Sequence, residues 1–361
     1  MSSAAATAPQ LSEAVGARTG SSYIASAAYD GLLFIFSPMI ALAIGEMITP
    51  LHWPFERTQA LGGIDTRVGI FIGVFTTAHL VAVFFRSHAN PEIFALHRKR
   101  FVLVPLVLLF LFGASKWLLV WGFVLAALWD VYHSSMQNFG LCRIWDAKLG
   151  NDPACGRSLD RWLAHALYIA PILAGPSLRK TLGNVERFAE LEWDAPLQLL
   201  QAVAANQWPA AWLVIAVGVS FSIYYVVAYR RLVLQGYRVS RQKIAFLLSV
   251  GFTSIAAWGF LPPLEAFFVA NLFHNLQYFG IIWWAERKNI RRVFGVSRMR
   301  GGQALALAAY LGSVGLAAAA LERGSRAGLH WALALALVVT LMHFWYDGFI
   351  WSVRRQEVGP G

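Results

Sequence analysis

Long apolar segments constrain this chain more than any other feature of its sequence. Of 361 residues, 58% are hydrophobic and 14% are charged, whereas soluble domains carry roughly a quarter charged residues. A helix needs about 20 mostly apolar residues to cross a bilayer. The apolar segments are 31–48, 67–85, 101–113, 117–141, 162–178, 209–229, 243–261, 264–285, 303–321 and 329–352. The sequence therefore predicts an all-α, polytopic transmembrane helix bundle of about ten spans. The third segment is short, and Gly113 to Lys116 predicts a tight turn into the fourth.

Basic residues lie between these segments and give the chain a formal net charge of +11. In a soluble protein this charge would suggest nucleic-acid binding. Here the positive-inside rule accounts for it, so no nucleic-acid partner is expected. With both termini inside, 22 of the 30 Lys and Arg residues fall in inner segments. The distribution predicts an N-in, C-in topology.

Outside the spans, the sequence predicts two short tails and no second domain. Residues 1–22 are predicted to form a flexible tail, because they are poor in the apolar residues needed to fold alone. A single transmembrane domain is predicted at 23–355, followed by a C-terminal tail at 356–361. The segment 179–208 fits either an amphipathic helix on the outer surface or a solvated loop. Cys142 and Cys155 fall on the inner side, where a structural disulfide is not expected.

Four histidines lie inside apolar segments: His79, His133, His274 and His343. They fall on the second, fourth, eighth and tenth predicted spans, which run in the same direction. Counted at 1.5 Å per residue, all four lie between mid-membrane and the inner third. Asp347 follows His343 by four residues and shares its helix face. Because ionisable side chains are costly in a bilayer, we predict that these five residues bind a metal.

Polar residues accompany these histidines at helical spacing. An imidazole that binds a metal usually donates its other N–H to a carboxylate, amide or carbonyl group. Such partners are predicted among Asp130, Gln137, Asn271, Gln277, Tyr278 and Tyr346. Asp347 could be such a partner rather than a ligand. Arg86 and Arg143, near the inner ends of their spans, are candidates for binding a headgroup or substrate, although simple snorkelling is favoured.

Several segments carry a resemblance to known proteins: YDGLLFIFSP, HLVAVFFRSH, WDVYHSSMQNFGLCRIWDAK, HNLQYFG and HFWYDGFIWSVR. Together they resemble a set of bacterial polytopic membrane proteins. This resemblance covers most of the chain and implies a protein integral to the bacterial cytoplasmic membrane. The intramembrane histidines also resemble, more distantly, those of the Brp/Blh-type carotenoid oxygenases, in which histidines hold iron. No motif of that family matches residue by residue, so no catalytic role is carried over.

These patterns leave three functions open. The first is a membrane-embedded, metal-dependent oxidoreductase or oxygenase, with non-haem iron as the expected metal and a lipid-soluble substrate. Zinc, copper or haem would also suit histidine ligands. The second is a proton-coupled transporter or relay that uses the intramembrane His and Asp groups. The third is a haem-binding electron-transfer protein, and a structural role for the histidines remains as the simplest alternative.

Overall fold

The computed structural model describes residues 21–48, 67–176 and 207–351, and these residues form helices and connecting turns with no strand. The helices are α1 (Ala27–Asp30), α2 (Ser37–Ile48), α3 (Arg67–Ala82), α4 (Phe84–Ser87), α5 (Pro91–Ala114), α6 (Lys116–Lys148), α7 (Arg157–Ala174), α8 (Gln207–Leu234), α9 (Arg241–Phe260), α10 (Pro263–Val293), α11 (Gly302–Arg326) and α12 (His330–Ile350). A π-helical turn, Gly31–Ile35, follows α1. The predicted all-α class is confirmed.

Five of these helices, α6, α8, α9, α11 and α12, are long and apolar enough to cross a membrane. Residues Ala27–Ile35 and Ser37–Met47 qualify together but are bent by 48° at their junction. The number of long apolar helices indicates that this is a membrane protein. The predicted tails and the residues Arg354 and Arg355 lie wholly or mostly outside the described residues, as does most of the segment 179–208.

Several helices extend beyond the apolar segments that predicted them. Helix α5 begins at Pro91 rather than near residue 101, because the Asn90 side chain accepts hydrogen bonds from the backbone N–H groups of Glu92 and Ile93. Such an N-cap starts a helix upstream of its apolar portion. At the other end, α5 stops at Ala114 and α6 starts at Lys116. The helix is therefore broken at Ser115, within the segment where the tight turn was predicted.

The chain divides into two compact units. The first takes the described residues of Met1–Leu61 and Ser134–Phe273, and the second takes those of Gly62–His133 and His274–Gly361. Helices α6 and α10 contribute residues to both units. The single transmembrane domain at 23–355 stays a prediction.

Within the second unit, α11 packs along α3, and α12 packs against α3, α5 and α11. Gly122 of α6 permits a close approach, because a Cβ there would lie 3.1 Å from the Phe112 ring of α5. In the first unit, α7 packs against α8 and α9, and α9 packs against α2. There the buried Asp30 accepts a 2.8 Å hydrogen bond from the indole Nε1 of Trp145, which connects the N-terminal helix to α6.

Candidate metal centre

The four histidines predicted to lie in membrane spans, His79, His133, His274 and His343, meet inside the second unit. His79 lies on α3, His133 on α6, His274 on α10 and His343 on α12. Each is at most 5% exposed. Burial of four imidazoles in an apolar bundle is costly unless hydrogen bonds or a metal compensate it.

Each of the four imidazole rings packs against two of the others, so that together they form a closed ring of neighbours. Ring centroids are 4.8 Å apart for His79 and His343 and 4.8 Å apart for His343 and His133. His133 and His274 are 5.3 Å apart, and His274 returns to His79 at 5.0 Å. All four pairs meet edge to face. The structure therefore brings the four predicted histidines to one place, as the matched depths of the spans suggested.

Backbone carbonyls fix the proton positions of two of these rings. His79 Nδ1 lies 2.6 Å from the carbonyl oxygen of Thr76, and His343 Nδ1 lies 3.2 Å from that of Leu80. Since a carbonyl only accepts, each Nδ1 must carry the proton and donate it. In a neutral imidazole this leaves Nε2 with its lone pair. Both Nε2 atoms are thus prepared as metal ligands, and the carbonyls act as the outer hydrogen-bond partners that metal-binding histidines usually have.

Asp347 completes this arrangement. Its Oδ2 lies 3.8 Å from His133 Nε2 and 3.8 Å from His343 Nε2, and these two nitrogens are 3.1 Å apart. The point equidistant from the three atoms is therefore about 2.1 Å from each, as these three distances require. Metal–ligand bonds from imidazole nitrogen and carboxylate oxygen are about 2.0–2.2 Å long. The spacing thus suits an ion bound directly by all three side chains.

His79 joins the same group. The ligand atoms of His79, His133 and His343 all lie within 4.8 Å of one another. The Nε2 atom of His79 is buried and has no hydrogen-bond partner among the described residues. A lone pair of this kind costs free energy unless something binds it. Three imidazoles, those of His79, His133 and His343, could therefore hold a metal. The Asp347 carboxylate lies beside two of them and the ring of His274 beside His79 and His133.

Tyr278 is the predicted companion that the structure brings into this centre. Its hydroxyl donates a 2.9 Å hydrogen bond to Asp347 Oδ1, and its ring lies 4.5 Å from that of His343. Tyr278 follows His274 by four residues on the same helix, and this spacing alone would pair it with that histidine. The contact therefore runs between α10 and α12 rather than along α10.

The other predicted companions lie differently. The Tyr346 ring packs 4.7 Å from Phe101, and its hydroxyl has no hydrogen-bond partner within the described ranges. Gln277 is fully buried on α10, and Asp130 forms no ion pair with any residue that the structure describes. Gln137 and Asn271 belong to the first unit, where the Asn271 amide bonds to the Phe267 carbonyl of its own helix.

The two candidate arginines are buried rather than snorkelling. Arg86 is 3% exposed and donates to Glu286, and Asn90 and Asn289 also donate to that carboxylate. A buried guanidinium needs such partners because its desolvation is costly. The favoured expectation of snorkelling is wrong for Arg86, because a carboxylate inside the unit takes the place of water.

Arg143 occupies a similar position in the first unit. It joins three other buried side chains in a charge cluster of two cations and two carboxylates: Arg143, Asp146, Asp160 and Lys243. Lys243 Nζ lies 2.7 Å from a carboxylate oxygen of Asp146 and 2.7 Å from one of Asp160. Tyrosine hydroxyls complete the carboxylate hydrogen bonds. Snorkelling is therefore wrong for Arg143 as well.

The sequence-based predictions did not include Glu286 or the charge cluster, although a repeated sequence motif precedes both acids. Gln-x-Phe-Gly occurs twice, at 137–140 and 277–280. Six residues after each glycine comes a buried acid, Asp146 or Glu286, that pairs with a cation distant in sequence. The repeated spacing from Gln-x-Phe-Gly to an acid was the signal in the sequence that could have drawn attention to both residues.

Comparison with known proteins assigns no family to this chain. No protein-family model, no curated protein and no solved structure matches the chain. What the centre can do must therefore be argued from its own side chains.

Proposed function

We propose that this protein is a membrane-embedded, metal-dependent oxidoreductase that uses dioxygen to oxidise a lipid-soluble substrate. The observation that carries the proposal is the placement of His133 Nε2, His343 Nε2 and Asp347 Oδ2 about one point at bonding distance from all three. His79 and His274 supply further imidazole. Nitrogen-rich sites with one carboxylate suit iron, zinc or copper, and non-haem iron with open positions is the usual choice for oxygen chemistry.

The spacing of the imidazoles argues against the haem alternative. Two histidines that bind a haem iron from opposite faces have nitrogens about 4 Å apart, twice a bond of about 2.0 Å. His133 Nε2 and His343 Nε2 are 3.1 Å apart, and their rings meet edge to face. A porphyrin plane does not fit between rings in this arrangement, whereas adjacent positions on one ion do.

Access from the bilayer supports a lipid-soluble substrate. On α6, Leu128 and Tyr132 are 70% and 47% exposed, and they lie within two turns of the buried His133. The ring of Phe344 lies 4.7 Å from that of His133 and 6.1 Å from that of Trp129. This apolar approach would favour a hydrocarbon or polyene and exclude water from the metal.

The proposal includes a setting in the membrane. Ten spans with both termini inside, in the bacterial cytoplasmic membrane, would place the metal between mid-membrane and the inner face. In that setting the carboxylate of Asp347 balances part of the ion's charge, and the imidazoles hold the ion through their Nε2 atoms.

A proton relay is the second candidate. The 3.1 Å contact between His133 and His343, next to the Asp347 carboxylate, favours it because titratable groups within hydrogen-bonding distance can pass protons. A relay would give proton flux in proteoliposomes without bound metal.

The test is metal and oxygen analysis of the purified protein. We expect near-stoichiometric iron, loss of that iron in His133→Ala, and oxygen consumption when the protein is supplied with a reductant and a lipid extract. His88→Ala is the control, because His88 lies outside the closed ring of four histidines. Full activity in metal-free protein, or iron that survives the loss of His133, would contradict the proposal.

A further inference from the structure

We infer that Trp351 and Arg86 are positioning residues that turn Asp347 so that only its Oδ2 can bind the metal. This inference rests on the proposed metal centre and adds how its carboxylate ligand is held. It also gives Arg86, a candidate for binding a headgroup or substrate, a different role.

The first step concerns the other oxygen of Asp347. Oδ1 accepts a 2.9 Å hydrogen bond from the Tyr278 hydroxyl and a 3.0 Å hydrogen bond from the Trp351 indole Nε1. The two donors approach from different helices or helix ends, so together they fix the plane of the carboxylate. With Oδ1 engaged twice, Oδ2 is the oxygen that faces the imidazoles of His133 and His343.

The second step concerns what holds Trp351. Helix α12 ends at Ile350, and Trp351 has left the helical conformation with φ −111° and ψ 41°. The last carbonyls of a helix have no partner within that helix. The Arg86 Nη2 donates a 3.0 Å hydrogen bond to the Ile350 carbonyl, and its guanidinium carbon lies 4.2 Å from the centre of the Trp351 ring. One guanidinium thus holds both the end of α12 and the indole that follows it.

The third step concerns what holds Arg86. Its Nη1 donates to Glu286 Oε1, and the amides of Asn90 and Asn289 donate to the same carboxylate. Glu286 is 1% exposed. Both charges are therefore buried, paired and held in one orientation. The series Glu286, Arg86, Trp351 and Asp347 connects the far end of α10 to the metal ligands through direct contacts.

This arrangement has a chemical consequence. A carboxylate that binds through one oxygen occupies one coordination position, whereas a chelating carboxylate occupies two. Holding Oδ1 on Tyr278 and Trp351 would keep a position open for a further ligand. Loss of the indole N–H would free Oδ1 to rotate toward the metal.

The experiment compares Trp351→Phe with Trp345→Phe. Both change tryptophan to phenylalanine in or just after the last turns of α12. The Trp345 ring packs on Tyr346 and Phe349, whereas the hydrogen bonds to Asp347 Oδ1 come from Tyr278 and Trp351. Metal affinity is measured by competition with a chromophoric chelator, and coordination by the visible spectrum of the cobalt-substituted protein. Thermal unfolding of the metal-free proteins monitors the fold.

We expect Trp351→Phe to weaken metal binding about tenfold or more and to change the cobalt spectrum. Arg86→Lys should shift the spectrum in the same direction. Lysine keeps the positive charge, but it cannot stack on the Trp351 ring while it donates hydrogen bonds to both Glu286 and the Ile350 carbonyl. Trp345→Phe should match wild type in both. If wild type binds metal and Trp351→Phe matches it in affinity and spectrum, the positioning role is wrong while the metal centre stands. If wild type binds no metal, both proposals fail.

Discussion

The substitution His343→Ala tests the metal centre most directly. His343 is fully buried, its Nδ1 donates to the Leu80 carbonyl, and its Nε2 lies 3.1 Å from His133 Nε2 and 3.8 Å from Asp347 Oδ2. It is therefore central to the ligand set. Removing its imidazole takes away the nitrogen that lies near both His133 Nε2 and Asp347 Oδ2, which are themselves 3.8 Å apart.

The magnitude follows from the number of donors. A protein zinc site with four ligands contributes about 10–16 kcal/mol of binding free energy at neutral pH. Shared among four ligands, that corresponds to roughly 2.5–4 kcal/mol for each ligand. At about 1.4 kcal/mol per tenfold change, the variant should bind metal about 60- to 700-fold more weakly.

The assay is a titration against a chromophoric chelator in detergent, with His330→Ala as control. His330 lies on the same helix, 13 residues earlier, and hence about 20 Å from the centre. Because alanine at a buried site can disturb packing, His343→Gln is measured as well, and metal-free unfolding temperatures are compared. Equal affinity in wild type and both His343 variants would refute the reasoning, as would an equal loss in His330→Ala.

Three further outcomes are expected. Tyr278→Phe should weaken metal binding about 10- to 100-fold, because it removes one donor to the metal-binding carboxylate, whereas Tyr346→Phe should leave the same titration unchanged. Lys243→Ala should lower the free energy of unfolding by about 3–5 kcal/mol in denaturant titrations, because it removes a buried cation from the charge cluster, whereas the exposed Lys99→Ala should stay within about 0.5 kcal/mol of wild type. Burial lowers the pKa of His88 below its ordinary 6.5, so the unfolded state binds the proton more readily and stability should fall as pH drops through that value. In His88→Gln, unfolding measured across pH 5–8 should show a smaller fall.

The parts of the centre that could be predicted from sequence are those that break an apolar pattern. His133 and His343 stand out because each is a polar residue within an otherwise lipid-compatible helix. Their common depth was predicted by counting residues along spans that were expected to run in one direction. Asp347 was identified by its four-residue spacing from His343, and its Oδ2 does face the imidazoles.

The hydrogen-bond partners could not be predicted in this way. Spacing of three or four residues places side chains on one face of their own helix, but the partners in this centre come from other helices. Tyr278 illustrates the limit, since spacing assigned it to His274 while its hydroxyl reaches Asp347 on α12. Tyr346 shows the converse, because it follows His343 by three residues but packs against Phe101.

Buried ion pairs also change how the charge distribution bears on topology. The count of 22 inner basic residues includes Arg86, Arg143 and Lys243, which the structure pairs with carboxylates inside the two units. A cation neutralised in this way gives little electrostatic preference for one side of a membrane. Setting these three aside leaves 19 inner basic residues against eight outer ones. The proposed N-in, C-in orientation therefore depends on the other basic residues between the predicted spans. It does not require Arg86, Arg143 or Lys243, each of which pairs inside one of the units.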